Sequence, residues 1–206
     1  MTKLLAVQAH PLSREESRSM QAFHTFLEAY QETHPEDTIE ILPLYTSDIP
    51  EIDQDLLSGW NFLKGGHSFE DLEPVQQEKI RRFDEYTDQF LAADKVLIAN
   101  ALWNLNVPPR LLIWIDAISV AGKTFRYTAE GPKGLSTGKK VMHLQSNGGY
   151  YNGKDAASQY VKKIMDFLGV DSVQQFFIEG LDYDPEHAEE ILRSALEEVK
   201  TLAKEF

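Results

Sequence analysis

The sequence predicts an α/β fold, a five-stranded parallel sheet covered by helices on both faces. Three observations carry that expectation. Short apolar runs recur along the 206 residues, at 4–7 (LLAV), 38–42 (TIEIL), 95–99 (KVLIA), 140–144 (KVMHL) and 173–178 (VQQFFI). Stretches with apolar residues at helical spacing alternate with them, the pattern of a parallel sheet with crossover helices. The composition, 42% hydrophobic and 26% charged, is that of a globular chain able to bury a substantial core. No repeat, low-complexity stretch or linker divides the chain, so a single domain over residues 1–206 is expected.

The run at 4–7 is continuously apolar, as in strands buried on both faces. It stops at His10-Pro11, and a polar turn leads into a helix with Met20, Phe23, Phe26, Leu27 and Tyr30 on one face. Ser17 and Ser19 stand where that helix begins. A strand, a polar turn and a helix N-terminus together form a common phosphate site, because unpaired N–H groups and the helix dipole point outward there. A serine at that place also serves simply as a helix cap, and on this stretch alone the cap is the preferred reading. The second strand, 38–42, follows that helix, and a long amphipathic helix spans about 74–91, opened by Pro74.

After the third strand, Pro108 and Pro109 suit the first turn of a helix. The residues that follow, 111–121 (LLIWIDAISVA), are interrupted only by Asp116 and Ser119. A helix on the outside of a sheet needs a polar side, and this one has almost none. Either a second subunit covers it, or residues 53–73 and a hairpin-like insert at 122–137 fold over it. The chain has few residues to spare, which favours the second subunit. The fourth strand follows Gly138 and the fifth follows Phe167-Leu168-Gly169. A last helix spans about 185–204, with Ile191, Leu192, Ala195, Leu196, Val199 and Leu202 facing inward.

Five strands in this sequence fit the flavodoxin-like three-layer sandwich, with strand order 2-1-3-4-5. In that arrangement ligands sit beyond the carboxyl ends of strands 1, 3 and 4. Those ends carry HPLSREESRS (10–19), NALWNLNVPP (100–109) and QSNGGYYNG (145–153). Each motif alone is weak, since a Gly-Gly pair marks many ordinary turns and a loop tryptophan is often only packing. All three at the ends of these strands suit a flat heterocycle bearing a phosphate, and FMN meets that description. Ser17 to Ser19 would hold the phosphate, while 102–105 and 146–149 would approach the ring edges.

The formal net charge of −13 argues against nonspecific attraction to nucleic acid or anionic lipid. An anionic ligand must therefore be held by local donors, such as Arg14 and Arg18, partly offset by Glu15 and Glu16. With no cysteine, disulfides, thiolate catalysis and iron–sulfur clusters are excluded. No stretch reaches membrane-spanning length, and a cytoplasmic protein is expected. No Walker A or G-x-G-x-x-G pattern occurs, and the six histidines show no metal-ligand spacing. His143, within a strand pattern, reads as a packed histidine, and His10 either faces a ligand or turns the chain. No residue is singled out as catalytic, and no metal is expected.

The sequence resembles the FMN-dependent NADH-azoreductases, flavodoxin-like reductases of quinones and azo compounds. The resemblance spans nearly the whole chain. It is carried by NALWNLNVPPRLLIWIDAISVAGKTFRYTAEGPKGLSTGKK (100–140), SNGG (146–149) and FFIEGLDY (176–183). It implies a homodimer with an FMN in each subunit, near the interface. The family's phosphate-binding serines fall on Ser17-Arg18-Ser19. Its two ring-binding turns fall on Leu102-Trp103-Asn104-Leu105 and Ser146-Asn147-Gly148-Gly149. Tyr127 and Phe167 would lie near the flavin face, one or both from the partner subunit, with Tyr151 in the same substrate pocket. The chain departs from the family at His10, where serine is common, and at Arg18 and Asn147. Residues 51–73 match least, so the preferred acceptor is not inherited.

The resemblance implies hydride transfer from NADH or NADPH through FMN to a quinone or azo compound, in two alternating half-reactions. The flavin carries the difficult chemistry, and the protein binds and orients it. The competing expectation is a flavodoxin-type electron carrier acting on protein partners, which the overall acidity would suit.

Overall fold

The structure, a computed structural model, describes residues 1–206. Strands β1 (Lys3–Ala9), β2 (Thr38–Pro43), β3 (Lys95–Ala101), β6 (Lys140–Ser146) and β7 (Ser172–Ile178) form one parallel sheet in the order β2-β1-β3-β6-β7. The expected 2-1-3-4-5 order therefore holds. The intervening β4 (Phe125–Thr128) and β5 (Gly131–Gly134) form the antiparallel hairpin expected within 122–137.

Successive strand residues face opposite sides, and here both sides are dry. Leu5, Val96 and Val141 share one row of the sheet. They pack beneath α3 (Pro74–Ala92), α4 (Pro109–Ile118) and α5 (Ala156–Leu168), with Phe90, Trp114 and Met165 in that core. Leu4, Leu97 and Met142 face the other way, against Phe23, Phe26 and Tyr30 of α1 (Arg18–Thr33) and Val199 of α6 (Ala188–Glu205). Two buried faces explain why the central strands β1, β3 and β6 read as largely apolar runs.

Some boundaries differ from the sequence reading. α4 stops at Ile118 although the apolar run continues to 121, because Thr124 Oγ1 takes the Ile118 carbonyl at 2.7 Å. α6 begins at Ala188 rather than 185, since Asp184 and His187 close a turn ahead of it. A short helix, α2 (Gln54–Lys64), lies in the poorly matched segment, with Asp53 accepting from Leu56 N at 3.1 Å as its cap. It packs on α3, Trp60 against Phe83 with ring centroids 4.9 Å apart. The hairpin packs on α5, with Phe125 4.7 Å from Phe167. Neither element buries the outer strip of α4, where Leu112 and Ile113 are half-buried between exposed Pro109 and Asp116. Burial nevertheless raises the Asp116 pKa. No helix is long and apolar enough to cross a membrane.

His143 is fully buried in β6, as its strand pattern predicts. Its Nε2 donates to Asn100 Oδ1 at 2.7 Å, which leaves Nδ1 to accept from Gln175 Nε2 at 3.0 Å. Burial lowers its pKa from 6.5 to about 4. Between those values the unfolded chain binds a proton that the folded protein refuses, so stability falls as pH falls through that window. The full shift corresponds to about 3 kcal/mol. In urea titrations, His143→Gln is expected to lose less stability than the parent between pH 7 and pH 4, by about that amount. Parallel pH profiles would place the ring's neutral state in doubt.

Candidate functional site

The sheet register brings the ends of β1, β3 and β6 side by side, pairing Ala9 with Asn100 and Ala101 with Ser146. The loops that leave them enclose a cleft of about 410 Å³, within the size range of small-molecule sites. Of the residues expected at a site, His10, Ser17, Arg18, Leu102, Trp103, Ser146, Asn147 and Gly148 line this cleft.

Its first wall is the start of α1. Ser17 is the N-cap, its Oγ accepting from Met20 N at 3.4 Å and lying 3.1 Å from Ser19 Oγ. The cap reading is therefore correct as far as it goes. It leaves the N–H groups of Arg18 and Ser19 without a partner in the chain, as expected for a first helical turn. Two hydroxyls and two free N–H groups at one helix start form a donor set suited to an anion. The Arg18 guanidinium pairs with Asp182 at 2.8 Å, an exposed contact of small energetic worth.

His10 is buried, and its Nδ1 accepts from Leu12 N at 3.1 Å. In the neutral ring the proton is therefore on Nε2, and burial lowers the His10 pKa, which favours that neutral form. The ring meets Trp103 edge-on, with centroids 5.3 Å apart.

The second wall is a tight turn. Trp103 and Asn106 exchange backbone hydrogen bonds of 3.1 and 2.9 Å, with Asn104 at φ 49° and Leu105 at φ 63°. This is the left-handed pair of a type I′ turn, where glycine or asparagine is favoured. A leucine in that conformation costs about 1–2 kcal/mol. The turn closes on 103–106 rather than 102–105, and the side chains of Asn104 and Leu105 stand at its exposed tip, off the cleft.

The third wall is the Gly-Gly turn. The Gly148 carbonyl accepts from Asp182 N at 3.0 Å, and that of Gly149 from Gly180 N at 3.1 Å. A Cβ on Gly148 would meet only the exposed Asp182 side chain, with Cγ at 3.1 Å, so it is these backbone bonds that hold the loop after β7 close. That loop contributes Leu181 and Asp182 to the cleft, and the loop after β1 contributes Leu12 and Glu16. Sequence reasoning named none of these four, nor Ala101, as a site residue, although Leu12 and Glu16 lie within HPLSREESRS and Ala101 within NALWNLNVPP. The only signal for Leu181 and Asp182 was the matched segment 176–183, which lies beyond the strand ends to which the fold rule points.

Asn147 is 1% exposed, and both ends of its amide are held by the protein. Gln145 Nε2 donates to its Oδ1 at 3.0 Å, and its Nδ2 donates to Glu179 at 2.8 Å. Ser19, Tyr127, Phe167, Tyr151 and Gly149 do not line the cleft of their own chain; Ser19 is buried behind Ser17, 3.1 Å from its hydroxyl. Tyr127 is 75% exposed on the hairpin, and Phe167 sits under Phe125.

The free donors at the start of α1 fit a phosphate, and two backbone turns facing an aromatic wall fit a flat ring with polar edges. These are the requirements of FMN. A profile of a family with the flavodoxin-like fold matches residues 2–203. A protein of Staphylococcus haemolyticus (strain JCSC1435) named FMN-dependent NADH:quinone oxidoreductase is 48% identical, with each chain covered in full. The solved structure of an azoreductase from Bacillus anthracis (strain Sterne) is 37% identical, with a TM-score of 0.92 and both chains fully covered. An FMN-dependent NADH-azoreductase from Bacillus anthracis (strain Ames Ancestor), solved in complex with FMN, is 32% identical at a TM-score of 0.92, covering 100% of this chain and 99% of its own. The chain belongs to the flavodoxin-like family, among its FMN-dependent NADH:quinone oxidoreductases and azoreductases.

Proposed function

We propose that this protein is an FMN-dependent oxidoreductase that uses NADH or NADPH to reduce quinones and aromatic azo compounds. The observation that carries the reading is the convergence of three turns, after β1, β3 and β6, on one cleft with free helix-start donors. Full-length relatives with these activities in their names support it. Bound in the cleft, FMN would supply the hydride chemistry that links the nicotinamide donor to the acceptor.

The chain's own residues bind and orient. Ser17, Arg18 and Ser19 hold the phosphate with their hydroxyls and N–H groups, and His10 Nε2–H adds a neutral donor beside them. The backbone of 102–103 and 146–148 holds the ring edges, and Trp103 walls the cleft. No side chain is required as an obligatory acid or base.

The protein works as a homodimer with one FMN per subunit. The uncovered apolar strip of α4 supports this, as does the exposure of Tyr127 at the end of the hairpin. In the dimer one or both of Tyr127 and Phe167 reach the partner's cleft and, with Tyr151, wall the acceptor pocket. The test is the visible spectrum of protein incubated with FMN. A yellow protein that bleaches with NADH, recovers with a simple quinone and turns over without any protein partner is expected. Bleaching with no turnover on a small quinone would favour the electron carrier, and a colourless protein would end the flavin reading.

A further inference from the structure

Residues 147–155 between β6 and α5 have no regular structure, yet they carry the Gly-Gly turn that faces the cleft. Asn152 (φ 52°) and Gly153 (φ 67°) are both left-handed, a turn that an Asn-Gly pair favours, but the residues before it have no such local support. Beside the backbone bonds of Gly148 and Gly149 to the loop after β7, one carboxylate gathers most of the segment's side-chain anchoring. Glu179, the first residue after β7, accepts from Asn147 Nδ2 at 2.8 Å, Tyr151 N at 2.9 Å and Asn152 N at 3.0 Å, all on Oε1. Its Oε2 accepts from Asn152 N at 3.0 Å. Donors on both sides of the Gly-Gly pair thus converge on one anion, where charge strengthens each bond.

The same contacts continue to the turn after β3. Gln145 donates to Asn147 Oδ1 at 3.0 Å and to Asp155 Oδ1 at 3.1 Å, and its Oε1 accepts from Asn100 Nδ2 at 3.2 Å. Asn100 lies two residues before Leu102, whose N–H donates to the Ser146 carbonyl at 2.9 Å. A network of buried amides, ending at Glu179, therefore connects the two turns alongside the direct Leu102–Ser146 bond. In a low-dielectric setting each member depends on the others, since an unsatisfied buried amide is costly.

We infer that Glu179 is a positioning residue that fixes the spacing of the two ring-facing turns, and so sets affinity for the isoalloxazine ring rather than the phosphate. The inference rests on the flavin reading above. Glu179→Gln keeps one acceptor oxygen and loses the charge, while Glu179→Ala loses both. Apoprotein is titrated with FMN and, separately, with riboflavin, which lacks the phosphate, following quenching of flavin fluorescence. Expected losses of FMN affinity are about 5-fold for Glu179→Gln and about 30-fold for Glu179→Ala, the partial rescue reflecting the retained oxygen. Riboflavin affinity should fall by the same factors. Faster hydrogen exchange at the amides of Tyr151 and Asn152 in apo Glu179→Gln gives a readout that needs no flavin and survives failure of the alanine variant to fold. FMN affinity within twofold of the parent in both variants overturns the inference. So does a loss confined to FMN, or unchanged exchange at those amides. A parent protein that binds neither flavin would instead sink the functional reading itself.

Discussion

Replacing Ser17 and Ser19 together by alanine is expected to weaken FMN binding about 100-fold or more while the protein stays folded. Hydrogen bonds to a charged partner contribute about 1.5–3 kcal/mol each, and two hydroxyls are removed from the phosphate's donor set. The N–H groups of Arg18 and Ser19 remain, so binding is weakened rather than abolished. The structural cost is smaller. Ser17 caps α1 through a long 3.4 Å contact to Met20 N, and loss of such a cap costs about 1 kcal/mol. That lowers the melting temperature by about 2–4 °C in a chain of this size. Riboflavin affinity in the double variant should match the parent's, because the hydroxyls act on the phosphate alone. Unchanged FMN affinity would move the phosphate to another part of the cleft and leave Ser17 with its capping role only.

The sheet was legible because its three central strands, β1, β3 and β6, are dry on both faces. Runs such as LLAV and KVLIA have little other use in a chain that is 26% charged, and their order along the sequence left few topologies. Three loops of the cleft were legible for a related reason, since parallel strands place their following loops on one rim. What the sequence could not supply was direction. Asn147, beside two glycines at a strand end, has the right chemistry for a ligand, yet both ends of its amide are turned to Gln145 and Glu179. Asn104 and Leu105 sit in the right turn but at its outer tip. Glu179 and Asp182 arrive from β7, a strand whose end the fold rule does not flag, and only the β6–β7 register brings them to the Gly-Gly turn. The short helix α2 escaped notice because its apolar residues meet α3 rather than the sheet, so its pattern is brief and mixed.

The hairpin depends on one place where two backbones touch. Gly134 ends β5 directly over Gly169, the left-handed residue (φ 86°) that terminates α5, and Ser136 N donates to the Leu168 carbonyl at 2.9 Å. A Cβ added at Gly134 would stand 2.5 Å from Gly169 Cα. The obstacle is main chain, so no rotamer change relieves it; either the hairpin lifts or the end of α5 unwinds. Overpacking of this kind costs about 3 kcal/mol, and Gly134→Ala is expected to lower the melting temperature by roughly 6–12 °C. Gly138→Ala is the control. Its φ of 84° makes any side chain there strained, but nothing lies within 4 Å, so it should cost only about 1–2 kcal/mol. Because the hairpin carries Tyr127 and the cleft lies elsewhere in the same chain, Gly134→Ala should raise the quinone KM while FMN affinity stays near the parent's. Equal, small destabilisation in the two variants would mean that hairpin and helix do not meet so closely. A parallel loss of FMN and quinone binding would mean that the hairpin supports the cofactor cleft itself rather than the wall where the acceptor stacks.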